Sequence, residues 1–138
     1  MKRVFIDANI VIDLLTERYP WFPKVLRIVN MGDSGEIELF CSSLSLGTAS
    51  YLMETRKMSP TEIFEGISLL CQMCTPTTVD ETVVRNALNS SFNDFEDALQ
   101  YYSALTVNAD CIVTRNKKDF AVAEIPIFDL DEYLETIV

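Results

Sequence analysis

Residues 2–15 read KRVFIDANIVIDLL, and the change of pattern inside this stretch decides the fold class. Lys2 to Ile6 is a short apolar run that stops at Asp7, as a strand buried in a parallel sheet does. Asn9 has a capping side chain, and the residues behind it predict a helix over Ile10 to Thr16. A carboxylate therefore stands where a buried strand hands over to a helix.

The same alternation continues outward. Trp21, Val25, Ile28 and Val29 recur at helical spacing, with Gly32 and Gly35 closing that second helix. Ile37 to Cys41 is a second strand, and Ser42 or Ser43 starts a helix toward Lys57. Ser59 and Glu62 form a capping box with Pro60 at the first helical position. That helix carries Ile63, Ile67, Leu70 and Cys74 inward. A short strand is expected at Thr77 to Val79, then a helix capped by Asp80 and ending near Leu88. Asn93 with Glu96 predicts another capping box, opening a helix through Val107. Cys111 to Val113 and Pro126 to Phe128 are further strands, and Asp129 with Glu132 caps the last helix. Short apolar strands alternating with helices indicate an α/β layer fold with a largely parallel sheet. With no repeat, low-complexity tract or Pro/Gly-rich linker, one domain is expected over residues 1–138.

Composition narrows the chemistry. The chain has 138 residues, 21 acidic against 11 basic, a formal charge of -10 and no histidine. That excludes Ser-His-Asp and Cys-His catalysis and any zinc centre built on imidazole. Catalysis here must use carboxylates, hydroxyls, thiols, lysines or an oxygen-bound metal. Asp7 and Asp13 interrupt the N-terminal apolar run, so no signal peptide is read there. No stretch approaches the roughly 20 apolar residues of a membrane helix. A cytoplasmic protein without membrane association is expected. Cys71 and Cys74 form a CxxC, but no second ligand pair completes a zinc site. These two, with Cys41 and Cys111, read as reduced thiols packed like small apolar residues.

In a parallel α/β sheet, ligands bind outside the carboxyl ends of the strands. Asp7 ends the first strand, and Asp97 lies in the first turn of the helix opening near Asn93. Asp97 is off the apolar stripe Phe95, Leu99, Tyr102 and Leu105, and shares a face with Asp94 and Tyr101. Asp119 follows the strand Cys111 to Val113, within TRNKKDF. If Asp7, Asp97 and Asp119 converge on one rim, their repulsion calls for a hard cation such as Mg²⁺ or Mn²⁺. Helix capping and the helix dipole offer Asp94 and Asp97 a competing role. Asp13 either supports the rim from behind or is a solvated carboxylate. Lys117, Lys118 and Arg115 could meet phosphate, and Arg115 could instead pair with a carboxylate.

FIDANIVIDLL, SSLSLGTASYLM, DFEDALQYYSAL and IVTRNKKDF, in that order, resemble a PIN domain across essentially the whole chain. This family comprises metal-dependent ribonucleases and includes the VapC-type toxins of bacterial toxin–antitoxin pairs. The resemblance implies a three-layer fold, with a mostly parallel sheet of about four to five strands flanked by helices. It implies that Asp7, Asp97 and Asp119 are metal ligands and catalytic residues holding Mg²⁺ or Mn²⁺. Asn9, Thr114 and Asn116 match polar positions near the metal. One position departs from the pattern: Thr48 stands where the family usually places a glutamate. Asp94, one turn from Asp97, is the candidate for the missing charge, and Thr48 could contribute a hydroxyl or hold a water.

The function implied is a metal-dependent endoribonuclease, the toxin half of a VapBC-type pair, with RNA as substrate. A small antitoxin protein and a second copy of the chain are the expected protein partners. The alternative that Thr48 motivates is a catalytically degenerate PIN domain that binds nucleic acid or protein. A phosphoacceptor receiver domain also uses strand-end carboxylates, but Asp7-Ala8-Asn9 lacks the acidic pair that it needs.

Overall fold

The computed structural model describes residues 2–137, and its sheet is built around β1 (Arg3–Ile6). On one side β1 pairs with β2 (Glu38–Ser42), which pairs with β3 (Thr75–Thr77). On the other it pairs with β4 (Cys111–Val113), which pairs with β5 (Ile127–Phe128). Every pairing is parallel, and the spatial order is β3-β2-β1-β4-β5. The chain winds outward from β1 through β2 to β3, then jumps across to β4. That reversal makes the carboxyl ends of β1 and β4 a topological switch point, where open α/β sheets form crevices.

Pleating sorts the strand side chains onto two faces. Val4, Ile6, Leu39, Cys41, Cys111 and Val113 enter one core, with Ile10 and Val11 of α1 (Ala8–Leu15) and Val25, Ile28 and Val29 of α2 (Phe22–Ser34). The same core takes Ala49 of α3 (Ser43–Thr55), Leu70 of α4 (Pro60–Met73) and Leu130 of α7 (Leu130–Thr136). Phe5, Phe40 and Ile112 face the opposite way, onto Tyr101 and Ala104 of α6 (Phe95–Leu105). Val83 and Ala87 of α5 (Glu81–Leu88) pack on Ala98 and Leu99 of α6. This is the expected three-layer architecture. Among the described residues, no helix is long and apolar enough to cross a membrane.

The local signals acted mostly where they were read. Capping boxes open α4 at Ser59/Glu62 and α7 at Asp129/Glu132, and Asp80 caps α5. Gly35 ends α2 at φ 81°, a left-handed conformation that suits glycine. Gly32 serves packing instead, since a Cβ there would meet the Met73 carbonyl at 2.7 Å.

Three expectations are corrected. Asn9 does not cap α1. Asp7 does, accepting from the Ala8 amide, so the helix starts two residues early and Asn9 lies within it. Asn93 and Glu96 form no capping box, because Asp94 caps α6 by accepting from the Asp97 amide. The buried face of α6 keeps Leu99 of the expected stripe but otherwise runs through Ala98, Tyr101 and Ala104, while Phe95 is half exposed. Ala104 packs under Phe5 and Ile112 of the sheet, and Ala98 packs on α5, where small side chains let the elements approach closely.

Candidate functional site

The ladder between β1 and β4 continues one residue past the strands, for the Asp7 amide donates to the Val113 carbonyl at 3.0 Å. Asp7 and Thr114 therefore stand side by side on the rim. The buried Thr114 hydroxyl donates to Asp7 Oδ2 at 2.8 Å, while Asp7 Oδ1 accepts from the Ala8 amide at 2.8 Å. Thr114 Oγ1 also accepts from the Asn116 amide at 3.1 Å and, more weakly, from Asn9 Nδ2 at 3.4 Å. Asn9 Oδ1 faces the Arg115 amide at 3.4 Å. The strand ends thus form a polar knot in which Thr114 is the hub.

Asp7 is almost fully buried, and among the described residues it pairs with no basic side chain. Burial pushes its carboxyl above the usual range, the Thr114 and Ala8 hydrogen bonds pull it back, and the charges of Glu96 and Asp119 push it up again. Asp97, half-buried on the first turn of α6, is pushed up to about 7 by burial, with Asp94, Asp7, Asp119 and Glu96 adding repulsion. Asp119 lies in a 3-10 turn (Lys117–Phe120), its amide bonded to the Asn116 carbonyl at 3.0 Å. Asp94, Asp97, Asp119 and Lys118 line one small cavity of about 110 Å³, with Asn93 and Phe92.

The fold thus brings Asp97 within electrostatic reach of Asp7, Asp119 and Asp94, from three separate elements. Glu96 joins them, and its neighbour Asp97 had drawn the attention in the sequence. The signal was present in Asp94-Phe95-Glu96-Asp97, where a first helical turn carries more acid than capping requires. Thr48 does not join the acidic group. Its hydroxyl donates to the Leu44 carbonyl of its own helix at 3.2 Å, and it borders a separate open depression with Ser43, Gly47 and Tyr51. Asn116 is exposed, and only its backbone enters the knot.

Two of the basic residues near the rim are already engaged. Arg115 grips Asp13, with Nε to Oδ2 at 2.7 Å, and its guanidinium lies 3.8 Å from the centre of the Trp21 ring. Lys117 pairs with Glu132 at 2.9 Å in solvent. Asp13 is fully buried and is not the solvated carboxylate that one reading of the sequence allowed.

The donor chemistry fits a hard divalent ion. The acidic groups offer carboxylate oxygens, with Lys118 at the cavity edge, and burial with added mutual repulsion raises Asp7 and Asp97, a cost that a cation relieves. Among the described residues, however, no three Asp, Glu or Cys side chains are gathered closely enough to hold one ion.

An acidic rim around one buried aspartate, at the switch point of a five-stranded parallel sheet, defines a class of α/β domains. Within it this chain belongs to the PIN domain family, whose model matches residues 3–118. The chain is similar to ribonuclease VapC1 of Aquifex aeolicus (strain VF5), 23% identical over 137 residues that cover 97% of this chain and 94% of the relative. Its fold is that of VapBC2 from Rickettsia felis, solved bound to a DNA fragment from its promoter, with TM-score 0.65, 13% identity, and 91% and 98% of the two chains covered. VapBC-1 from nontypeable Haemophilus influenzae matches with TM-score 0.65 at 18% identity, over 93% of this chain and 98% of that one. FitAB bound to an IR36 DNA fragment matches with TM-score 0.66 at 13% identity, covering 92% and 94%.

Proposed function

We propose that this chain, acting as one domain, is a metal-dependent endoribonuclease and the toxin half of a toxin–antitoxin pair. The observation that carries this reading is the anionic rim: buried Asp7 is held at the strand end with no side-chain cation paired to it among the described residues, and Glu96 and Asp119 press charge on it from two other elements. A fold that keeps such repulsion inside gains nothing from it unless a cation arrives. Asp7, Asp97 and Asp119 would hold Mg²⁺ or Mn²⁺, with Asp94 assisting and Glu96 in reserve. The bound ion would supply Lewis acidity toward the phosphodiester and toward water.

The protein's own part is positioning. Thr114 and Ala8 fix both oxygens of Asp7, so that this carboxylate is oriented before anything binds. Asp97 near neutrality can hold or release a proton at its carboxylate oxygen as its surroundings change. Lys118, on the edge of the acidic cavity, is placed to meet a substrate phosphate. Asn9 and Asn116 keep the Thr114 knot closed. The net charge of -10 works against indiscriminate RNA binding, which favours a specific target and a basic antitoxin segment.

A second reading, a degenerate domain that binds without cutting, draws on Thr48 being tied to its own helix and on the ungathered carboxylates. One experiment separates the two. Purified protein is incubated with single-stranded RNA and Mn²⁺, beside Asp7→Asn, while Mn²⁺ binding is followed by calorimetry. Cleavage by the wild type alone supports the nuclease; equal cleavage by both proteins overturns this mechanism. Absence of Mn²⁺ binding at millimolar concentration favours the degenerate domain.

A further inference from the structure

Asp13 and Arg115, 102 residues apart, make a two-pronged contact: Arg115 Nε donates to Asp13 Oδ2 at 2.7 Å and Nη2 to Oδ1 at 3.3 Å. The carboxylate has no solvent exposure, and the guanidinium is covered on one face by Trp21. Arg18 approaches the same carboxylate only at 3.9 Å and from the surface. A buried ion pair of this kind is a poor source of stability, since well-packed apolar residues of similar volume often do as well or better. Its use must be sought in what it holds still.

What it holds is the segment that connects both sides of the rim. Residue 114 bonds Asp7, residue 116 bonds Thr114 through its amide, and the Asn116 carbonyl receives the Asp119 amide. Arg115 lies in the middle of that run, and its side chain, like that of Thr114, reaches back to the first helix. Asp13 stands on the same helix that Asp7 begins. The helix therefore grips the segment twice, at Asp7–Thr114 and at Asp13–Arg115. The orientation of Asp119 relative to Asp7 is set by two anchors on one rigid element.

We propose that Asp13, Arg115 and Trp21 form a positioning clamp that fixes the Asp119 turn against Asp7 and so sets the rim's affinity for a divalent cation; this rests on reading the rim as a metal site. The clamp touches neither metal nor substrate. It acts through the backbone of residues 114–119. Planarity matters, because a lysine can neutralise Asp13 but can neither make the fork nor stack on the indole.

The test compares wild type with Arg115→Lys, with the apolar pair Asp13→Leu/Arg115→Met, and with Arg18→Gln. Circular dichroism first establishes the temperature at which each is folded. Mn²⁺ titration calorimetry there measures affinity, and amide exchange of the metal-free proteins follows Asn116 and Asp119. Arg115→Lys and the apolar pair should bind Mn²⁺ about 10- to 100-fold more weakly, the range for residues that orient metal ligands. Their Asn116 and Asp119 amides should exchange faster. Arg18→Gln should bind as wild type, since Arg18 neighbours Asp13 without holding the turn. Unchanged Mn²⁺ affinity in folded Arg115→Lys overturns the clamp, as does an equal loss in Arg18→Gln, which would mark a general charge effect. Wild type that binds no Mn²⁺ overturns the metal-site reading itself, a result distinguishable from failure of the clamp alone.

Discussion

Asp7 and Asp13 lie on one short helix, six residues apart, and both are buried. Burial raises the proton affinity of each, yet their neighbours differ in kind. Around Asp13 the hydrogen bond and charge of Arg115 and the charge of Arg18 oppose that rise. Around Asp7 only uncharged donors oppose it, while Glu96 and Asp119 add to it. A buried carboxylate supplied with its own cation is part of the scaffold. One left among other acids is a place prepared for something the chain does not itself contain. Burial alone does not separate the two; the sign of the surrounding charge does.

The contrast can be broken most strongly at Asp7. Asp7→Asn should reduce RNA cleavage to background in a gel assay while leaving the metal-free protein at least as stable, because repulsion is relieved. A large fall in melting temperature would place Asp7 with the scaffold. Asp13→Ala should do the reverse to stability, leaving a half-buried guanidinium without its partner at a cost of about 3 kcal/mol, read from urea unfolding. Thr114→Val removes the one side-chain hydroxyl that steadies Asp7 and should cost about 1–3 kcal/mol at neutral pH.

Acidity sharpens the contrast further. Asp97 titrates near 7 in the folded protein against an ordinary 3.8, so the folded state binds the extra proton between those values. Stability of the metal-free protein should therefore rise as pH falls through about 7 toward 4, and be lowest above 7. Saturating Mn²⁺ should flatten that slope, because the ion replaces the proton; a slope unchanged by metal would count against a shared site. The smallest effect is expected at Lys117→Ala, where an exposed pair with Glu132 is lost, at about 0.5 kcal/mol or less.

Much of this architecture could be read locally. Strand cores such as Val4-Phe5-Ile6 and Cys111-Ile112-Val113, and caps such as Ser59 and Asp80, act through neighbours a few residues away. Asp7, Asp97 and Asp119 could be suspected because strand ends and helix starts are visible in a sequence. That Arg115 pairs with a carboxylate is among the readings the sequence allows, but nothing near either residue specifies Asp13, 102 positions distant, as the partner. The buried face of α6 is only partly legible, since helical spacing picks out Leu99 but not Ala104, which packs under the sheet, or Ala98, which packs on α5. Asn9 lost its cap role to a neighbour whose carboxylate does two jobs at once. Glu96 reads in the sequence as half of a capping box with Asn93, and its influence on Asp7 depends on how α6 packs against the sheet.

The strand order has a consequence for when the protein acquires its chemistry. β1 is synthesised first, but its partner on the functional side is β4, more than a hundred residues later. Until Cys111 to Val113 have left the ribosome, Asp7 has neither Thr114 beside it nor Asp119 opposite. A chain broken off before that point carries half a rim and no acidic cavity. The site thus waits on a late-made strand, so a copy that stops short of β4 lacks the rim that the folded chain presents.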